Sequence, residues 1–489
     1  MELHEATVHA SKIDRMKILI KNATVLTMDP SLGNLANHDI LLAGEVISQI
    51  SPHIDPPDDA EVIDASDCIV TPGFVNCHHH MWQQILRTIA TDWSLFDYVV
   101  GMRSIYGSLF SADDVYFSMY AAALDLLNHG VTTVLDHCHI INSPQHADAA
   151  VKALKEAGIR GTWCYGFYEN LAPPPSLEVD DERPRDFTFE QRKLDAARVR
   201  AEHFKDNNPE RNVLTFGIAP DEPEAVPIEK TIEQIVLARD LEARRITMHV
   251  AHGHYDIAHR QIVQQLHDKA MLGPDLVFSH GASFTDNELE AIRVSGAGIV
   301  ATPDTETQMG MGHPVLFRAD DAGCKTSLGI DITSNQGNDM VIQMRLALQV
   351  QREQDNRMSS IPIMIRRKTL EVLRMATMGG AEVMQLDYLV GSLTPGKKAD
   401  LVIFRCDDIS TVPIINPVGT VVFNTSPKNI DTVIVNGKIA KRDGKLIGVD
   451  LPSLLHELKV RSAKIVRMGV SIDRKGFEAQ WKQAFRMCC

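Results

Sequence analysis

The chain has 489 residues, 44% of them hydrophobic and 23% charged, with a formal net charge of −15. This is the make-up of an ordinary globular protein, long enough for one large α/β domain and a smaller one. The acidic balance argues against a nucleic acid or an anionic membrane as partner, and no apolar run approaches the roughly 20 residues of a membrane helix. The first residues, Met-Glu-Leu-His-Glu, lack the basic and apolar regions of a secretory signal. Eight cysteines without framework spacing read as reduced thiols, so a cytoplasmic protein is expected. The closing Cys488-Cys489 pair reads as a frayed end or as a lipidation site.

Residues 1–16 read as a loose lead-in. From Lys17 the pattern is short and β-rich, with Ile18-Leu19-Ile20, Ala23-Thr24-Val25-Leu26 and the run 40–47 punctuated by Gly44 and a Pro-rich segment, 51–59. Matching β-rich runs recur late, at Asp400-Leu401-Val402-Ile403-Phe404 and over 432–438. Two β blocks around a long α/β middle predict a small β domain assembled from both ends of the chain, 17–72 with 390–445. A helical, partly basic tail follows over 446–489, and docking or self-association is the role read for it.

The middle, 73–389, alternates apolar strand-like runs with helical periodicity. Strand runs begin with Phe74-Val75 and continue at 132–135, 161–163, 213–216, 246–248, 276–278, 298–300 and 326–329. Helical spacing fills 118–128, 146–157, 228–242, 257–270 and 286–294. Eight βα units are the number that closes a parallel (β/α)8 barrel, and such a barrel carries its chemistry at the C-terminal ends of its strands.

That rim is where the metal-binding residue types fall. The first strand runs into Cys77-His78-His79-His80, and residues i and i+2 of a strand share a face, so His78 and His80 can hold one ion. A lone His-x-His is equally a surface cluster. His249 follows the fifth strand run, His280 the sixth, and Asp331 the eighth. Singly, a strand-end His is a hydrogen-bonded structural residue and an Asp a helix cap. Together, a His-x-His pair, two further histidines and an aspartate at four strand ends point to a metal, and three histidines with a carboxylate make a site for one divalent ion, zinc first, with iron(II) or manganese also suited.

With these motifs in their order, the chain resembles the amidohydrolase superfamily, in the branch of cytosine/guanine-type deaminases and triazine hydrolases. The resemblance runs from Thr71-Pro72-Gly73-Phe74-Val75-Asn76 and His78-x-His80 through Gly130-Val131-Thr132-Thr133-Val134, Met248-His249-Val250-Ala251 and Ser279-His280-Gly281. It continues through Gly329-Ile330-Asp331 to Gly391-Ser392-Leu393-Thr394-Pro395-Gly396 and Val433-Ile434-Val435-Asn436-Gly437. It implies a (β/α)8 barrel with a small β-sandwich from both termini. His78, His80, His249 and Asp331 would then be metal ligands, with His280 a further ligand or a polarising group beside the metal's water. Relatives with two metals carry a carboxylated Lys after the fourth strand; 213–224 has no Lys, which favours one metal.

The implied reaction is hydrolysis by a metal-activated hydroxide of a C–N bond in a small, cyclic, planar substrate, by deamination or by opening of a cyclic amide. Asp331 would accept the water's proton, and His280 would orient the nucleophile or hold developing negative charge. Two departures qualify this. Deaminases of the branch carry His-x-x-Glu after the fifth strand, whereas this chain reads His249-Val250-Ala251-His252. His252 would therefore be the acid/base, and dechlorination, ester cleavage or decarboxylation on the same site is the alternative. Where deaminases show His-Asn-Pro after the seventh strand, this chain has Thr302-Pro303-Asp304-Thr305-Glu306; Glu306 faces the substrate or is a solvated loop acid.

Other rim residues read as substrate contacts. Trp82 would stack on a planar ring, and Gln83 or Gln84 would read its polar edge, unless they close the core. His137 and His139 make a second alternating pair that resembles a metal pair, and they read as substrate contact or hydrogen-bonded pocket wall because the ligand set is complete without them. The segment 169–185, with Pro173-Pro174-Pro175, reads as a loop over the mouth. A homodimer or homotetramer is expected from the resemblance. A non-catalytic scaffold is the remaining alternative, set against a full complement of ligand positions.

Overall fold

The computed structural model describes residues 17–172, 177, 179, 187–357 and 361–484. The expected lead-in 1–16, the Pro173-Pro174-Pro175 run and Cys488-Cys489 lie outside the described residues. The chain groups into two compact units. Of the described residues, one comprises those within 17–75, 126–133 and 339–449, and the other those within 76–125, 134–338 and 450–484.

The first unit is built on a nine-stranded sheet from both ends of the chain. Strand Lys17–Leu26 pairs antiparallel with Asn34–Ala43 and parallel with Ala60–Asp64 and Cys68–Pro72. Cys68–Pro72 then pairs antiparallel with Leu401–Arg405, in the register Val70↔Ile403, which joins the two ends. Alternate residues of each strand share a face. Ile18 with Ile20 and Leu401 with Ile403 accordingly enter one cluster with Val25, Val70 and Ile434, each at most 1% exposed.

The second sheet has eight strands in sequential order: Phe74–His79, Val131–Cys138, Arg160–Gly166, Leu214–Ala219, Ile246–Val250, Leu276–His280, Gly298–Ala301 and Lys325–Leu328. The second, third and fourth are buried along their whole length, as expected of parallel strands covered on both faces. The eighth returns to the first just beyond its end. A parallel bridge joins His79 and Asp331; Asp331 N–H donates to His78 O at 2.9 Å and His80 N–H to Asp331 O at 2.7 Å. Gly329 makes this approach possible, since a Cβ there would lie 2.8 Å from that of His78. The closing bonds of the (β/α)8 barrel thus set three of the expected ligands side by side.

Helices Ala112–Asn128, Pro144–Ala157, Ile228–Asp240 and Asp286–Ser295 stand where the periodicity places them. The pattern over 257–270 yields only Ile262–Asp268, because His259 and Gln261 take left-handed φ values of 44° and 50° and break the helix. Phe189–His203 and Met340–Arg357 are helices the periodicity did not single out. The tail forms two helices, Leu451–Val470 and Lys475–Ala484. Among the described residues no helix is long and apolar enough to cross a membrane.

Candidate active site

His78, His80, His249, His280 and Asp331 converge at the C-terminal rim of the barrel. Two overlapping triads, His78–His80–His249 and His78–His280–Asp331, each keep their ligand atoms within 4.8 Å of one another. His280 and Asp331 hold φ values of 76° and 72°. Left-handed backbone is unusual for residues other than glycine, and it concentrates where side chains must be aimed.

The spacing fits one small ion. His80 Nε2 stands 3.2 Å from His249 Nε2, and Asp331 Oδ1 stands 3.3 Å from His78 Nε2 and 3.4 Å from His80 Nε2. Ligands about 2.0–2.1 Å from a tetrahedral zinc lie about 3.3–3.4 Å apart. The far side of each ring reinforces this. His80 Nδ1 meets His137 O at 2.8 Å, His78 Nδ1 meets Ser279 Oγ at 2.9 Å, and His249 Nδ1 meets Glu222 Oε2 at 3.2 Å. His280 Nδ1 lies 3.1 Å from Thr302 Oγ1 and 3.4 Å from Glu306 Oε1. With Nδ1 protonated toward these acceptors, each Nε2 presents a lone pair to the centre. Lone pairs facing each other at 3.2 Å repel, and a cation between them removes the repulsion.

The electrostatics agree. Burial drives the His80 and His249 pKa values well below the usual histidine value, and neighbouring imidazoles add to it, so both are neutral as metal ligands must be. Burial alone would raise Asp331, but its contacts with His78, and behind them His280 and His80, hold it ionised well below the ordinary carboxylate range. Burial pushes Glu222 up to about 7 against the pull of His252. His252 moves the other way. Burial would lower it, but Glu224, with Glu222 and Asp256, raises it to about 9. His252 Nδ1 lies 3.5 Å from Glu224 Oε2 and its Nε2 3.8 Å from Glu222 Oε1. It is therefore an imidazolium at neutral pH.

A cavity of about 550 Å³ opens on His80, His249, His280 and Asp331, and His252 lines it. The other sequence-based contacts are placed differently. Trp82, Gln83 and Gln84 form a buried 3-10 turn behind the wall, not on it. Trp82 Nε1 donates to His139 Nδ1 at 3.0 Å, Gln83 Nε2 to the Tyr98 hydroxyl at 2.6 Å, and Gln84 Nε2 to Asp125 at 3.2 Å. Their polar groups are consumed within the protein. His137 stacks on His249 with ring centroids 4.2 Å apart and supplies the carbonyl under His80. Glu306 is fully buried, accepts the Thr302 N–H at 2.9 Å and backs His280, neither meeting substrate nor standing in solvent. His139 does reach the cavity, stacked on His80 at 4.1 Å.

Residues the sequence did not single out complete the site. Tyr168 brings its hydroxyl 3.3 Å from His249 Nδ1 and 3.1 Å from His137 Nε2. Glu222 and Glu224 come from the loop after the fourth strand; the acid-rich text Asp221-Glu222-Pro223-Glu224 was the available signal. Gln480 and Trp481 of the tail line the same cavity.

Comparison with known proteins agrees with this architecture. The profile of the amidohydrolase family matches residues 69–440. A 5-methylthioadenosine/S-adenosylhomocysteine deaminase of Thermoanaerobacter pseudethanolicus is 26% identical over 460 residues, covering 92% of this chain and all of the relative. A 5'-deoxyadenosine deaminase of Methanosarcina barkeri is 25% identical over 450 residues, covering 92% and 98%. Among solved structures, an adenosine deaminase from Xanthomonas campestris with bound zinc superposes with a TM-score of 0.79 at 19% identity, over 93% of this chain and 99% of that one. Atrazine chlorohydrolase from Arthrobacter aurescens TC1, complexed with zinc, gives 0.74 at 21% identity, over 91% and 100%. The chain belongs to the amidohydrolase family and is a hydrolase of carbon–nitrogen bonds other than peptide bonds.

Proposed function

We propose that this enzyme is a mononuclear, zinc-dependent deaminase of an amino-substituted heterocycle of the adenosine type. His78, His80, His249 and Asp331 would hold the ion, with His280 beside it. Zinc is supported by the three-imidazole, one-carboxylate donor set and by the zinc in the two similar structures. When bound, the ion supplies an acidified water as nucleophile.

The protein's own groups do the rest. Asp331, held ionised, takes the proton of the water. His280, fixed through Nδ1 by Thr302 and Glu306, keeps one orientation and faces the charge that develops on the attacked ring. His252, an imidazolium on the cavity wall, donates a proton to the departing nitrogen. One water is consumed and ammonia leaves. The observation that carries this reading is the His252–Glu222–Glu224 cluster. It provides a proton donor and adjoining carboxylates where the branch otherwise uses a single Glu.

Ammonia release from 5'-methylthioadenosine, 5'-deoxyadenosine and adenosine by the zinc-loaded enzyme tests the proposal. Turnover of any of these, lowered about 10²-fold or more in His252→Gln with metal content kept, supports it. No ammonia from the panel, or full activity in His252→Gln, contradicts it. His252 in the usual Glu position also favours a second reading, displacement of another leaving group such as chloride from a triazine, which chloride release would reveal. Residence in a reducing compartment is supported by the burial of all six described cysteines.

A further inference from the structure

The tail, 450–484, lies beyond the segment the family profile matches, yet it packs within the barrel unit and reaches the active-site cavity. Three polar contacts and one close approach hold it. Arg461 Nη1 donates to the buried Asp114 Oδ1 at 2.9 Å, with its guanidinium 4.3 Å over the Phe117 ring. Arg474 Nη2 donates to Asp97 Oδ1 at 3.2 Å. Gly469 lies flat on Tyr106; a Cβ there would come within 2.2 Å of the ring. Trp481 Nε1 donates to Ser104 Oγ at 2.7 Å.

All four contacts fall on the segment 97–117, which begins with the irregular helical turns Leu95–Tyr98, Val99–Ile105 and Tyr106–Ser108. Those turns send Leu95, Val99 and Arg103 to the cavity. The tail thus braces one wall of the cavity and contributes Trp481 to it. Because the indole N–H is spent on Ser104, Trp481 offers the cavity only carbon surface. Leu95, Val99, Met309 and Met311 line the cavity with it and add further apolar surface. At about 550 Å³ the cavity is in the range for drug-sized ligands. A heterocycle with nothing attached would leave this apolar surface without a partner.

Resting on the deaminase reading, we propose that Trp481 is a specificity residue. It packs against an apolar substituent that the heterocycle carries away from the bond being hydrolysed. The substrate class is then an aminated heterocycle with an apolar side group.

The test compares kcat/KM for 5'-methylthioadenosine and adenosine, which differ by a methylthio group in place of a hydroxyl, in wild type, Trp481→Ala and Trp481→Phe. The expected result is a preference for the methylthio compound that falls about tenfold or more in Trp481→Ala and stays within about threefold in Trp481→Phe. An unchanged preference in a folded Trp481→Ala enzyme overturns the proposal. If wild type turns over none of 5'-methylthioadenosine, 5'-deoxyadenosine and adenosine, the deaminase reading fails, and the wall is tested separately. The rate at which 1,10-phenanthroline strips the metal from the holoenzyme should then rise at least severalfold in Trp481→Ala, since the planar chelator must enter through the cavity. Equal rates would overturn the wall.

Discussion

His80 and His249, 169 residues apart in sequence, point their Nε2 atoms at each other across 3.2 Å. Each ring is fixed from behind, His80 by the His137 carbonyl and His249 by Glu222 and Tyr168. With both Nδ1 atoms protonated toward these partners, the facing Nε2 lone pairs repel unless a cation lies between them. Stripping the metal should therefore lower Tm by several degrees, and one equivalent of zinc should restore it. Calorimetry of apo and reconstituted protein checks this. An unchanged Tm would mean that the cluster is stable without an ion.

His252 should set the alkaline limb of the activity profile. Its pKa is raised from 6.5 to about 9 by Glu224, Glu222 and Asp256 against the effect of burial, so the donor is present below about pH 9 and lost above it. The same shift bears on stability. A raised folded-state value contributes stability fully present below the unfolded value of 6.5, and this is lost as pH rises through about 9. The Tm advantage of wild type over His252→Gln should therefore shrink between pH 7 and 10. An advantage that grows with pH would contradict the assigned charge.

Asp136 is a buried carboxylate whose Oδ1 accepts the Met81 N–H at 3.0 Å. Burial pushes its pKa up to about 7 from 3.8. The neutral form is favoured in the fold, so the stability it contributes is present below about pH 4 and lost as pH rises through about 7. Asp136→Asn keeps an acceptor for Met81 and carries no charge. It should be more stable than wild type by about 1–3 kcal/mol at pH 8, with a smaller gain at pH 5. Denaturation curves at the two pH values decide, and a larger gain at pH 5 would contradict the shift.

Arg461 is the charge partner of Asp114, which is only 1% exposed. Arg461→Met removes that partner and should cost about 2–4 kcal/mol, because the buried carboxylate loses its counter-charge and keeps the neutral Ser111 N–H and hydroxyl as donors. Limited proteolysis should then cut first near residue 450. Cleavage unchanged from wild type would show that the tail is held by its other contacts.

The barrel was legible because its strands are apolar runs separated by helical spacing, and because the strand-end rule gathers His78, His80, His249, His280 and Asp331 without any knowledge of loops. The terminal sheet was legible for the same reason: Ile18-Leu19-Ile20 and Leu401-Val402-Ile403 read as strands wherever they stand. Trp82, Gln83 and Gln84 were misplaced because adjacency to His80 says nothing about which side of a short 3-10 turn faces the cavity. Glu222, Tyr168 and Trp481 were missed for a different reason. Glu222 and Tyr168 sit on loops and Trp481 on a helix of the distant tail; local pattern does not say which of their residues reach the cavity, and only tertiary contacts bring them to the site.

The central claim is one divalent ion held by His78, His80, His249 and Asp331, and metal content per chain tests it most directly. Elemental analysis of wild type and Asp331→Ala, purified without added metal, should find one equivalent of zinc in the first and most of it missing from the second. Two equivalents in wild type, or none even after zinc is added, would contradict the account.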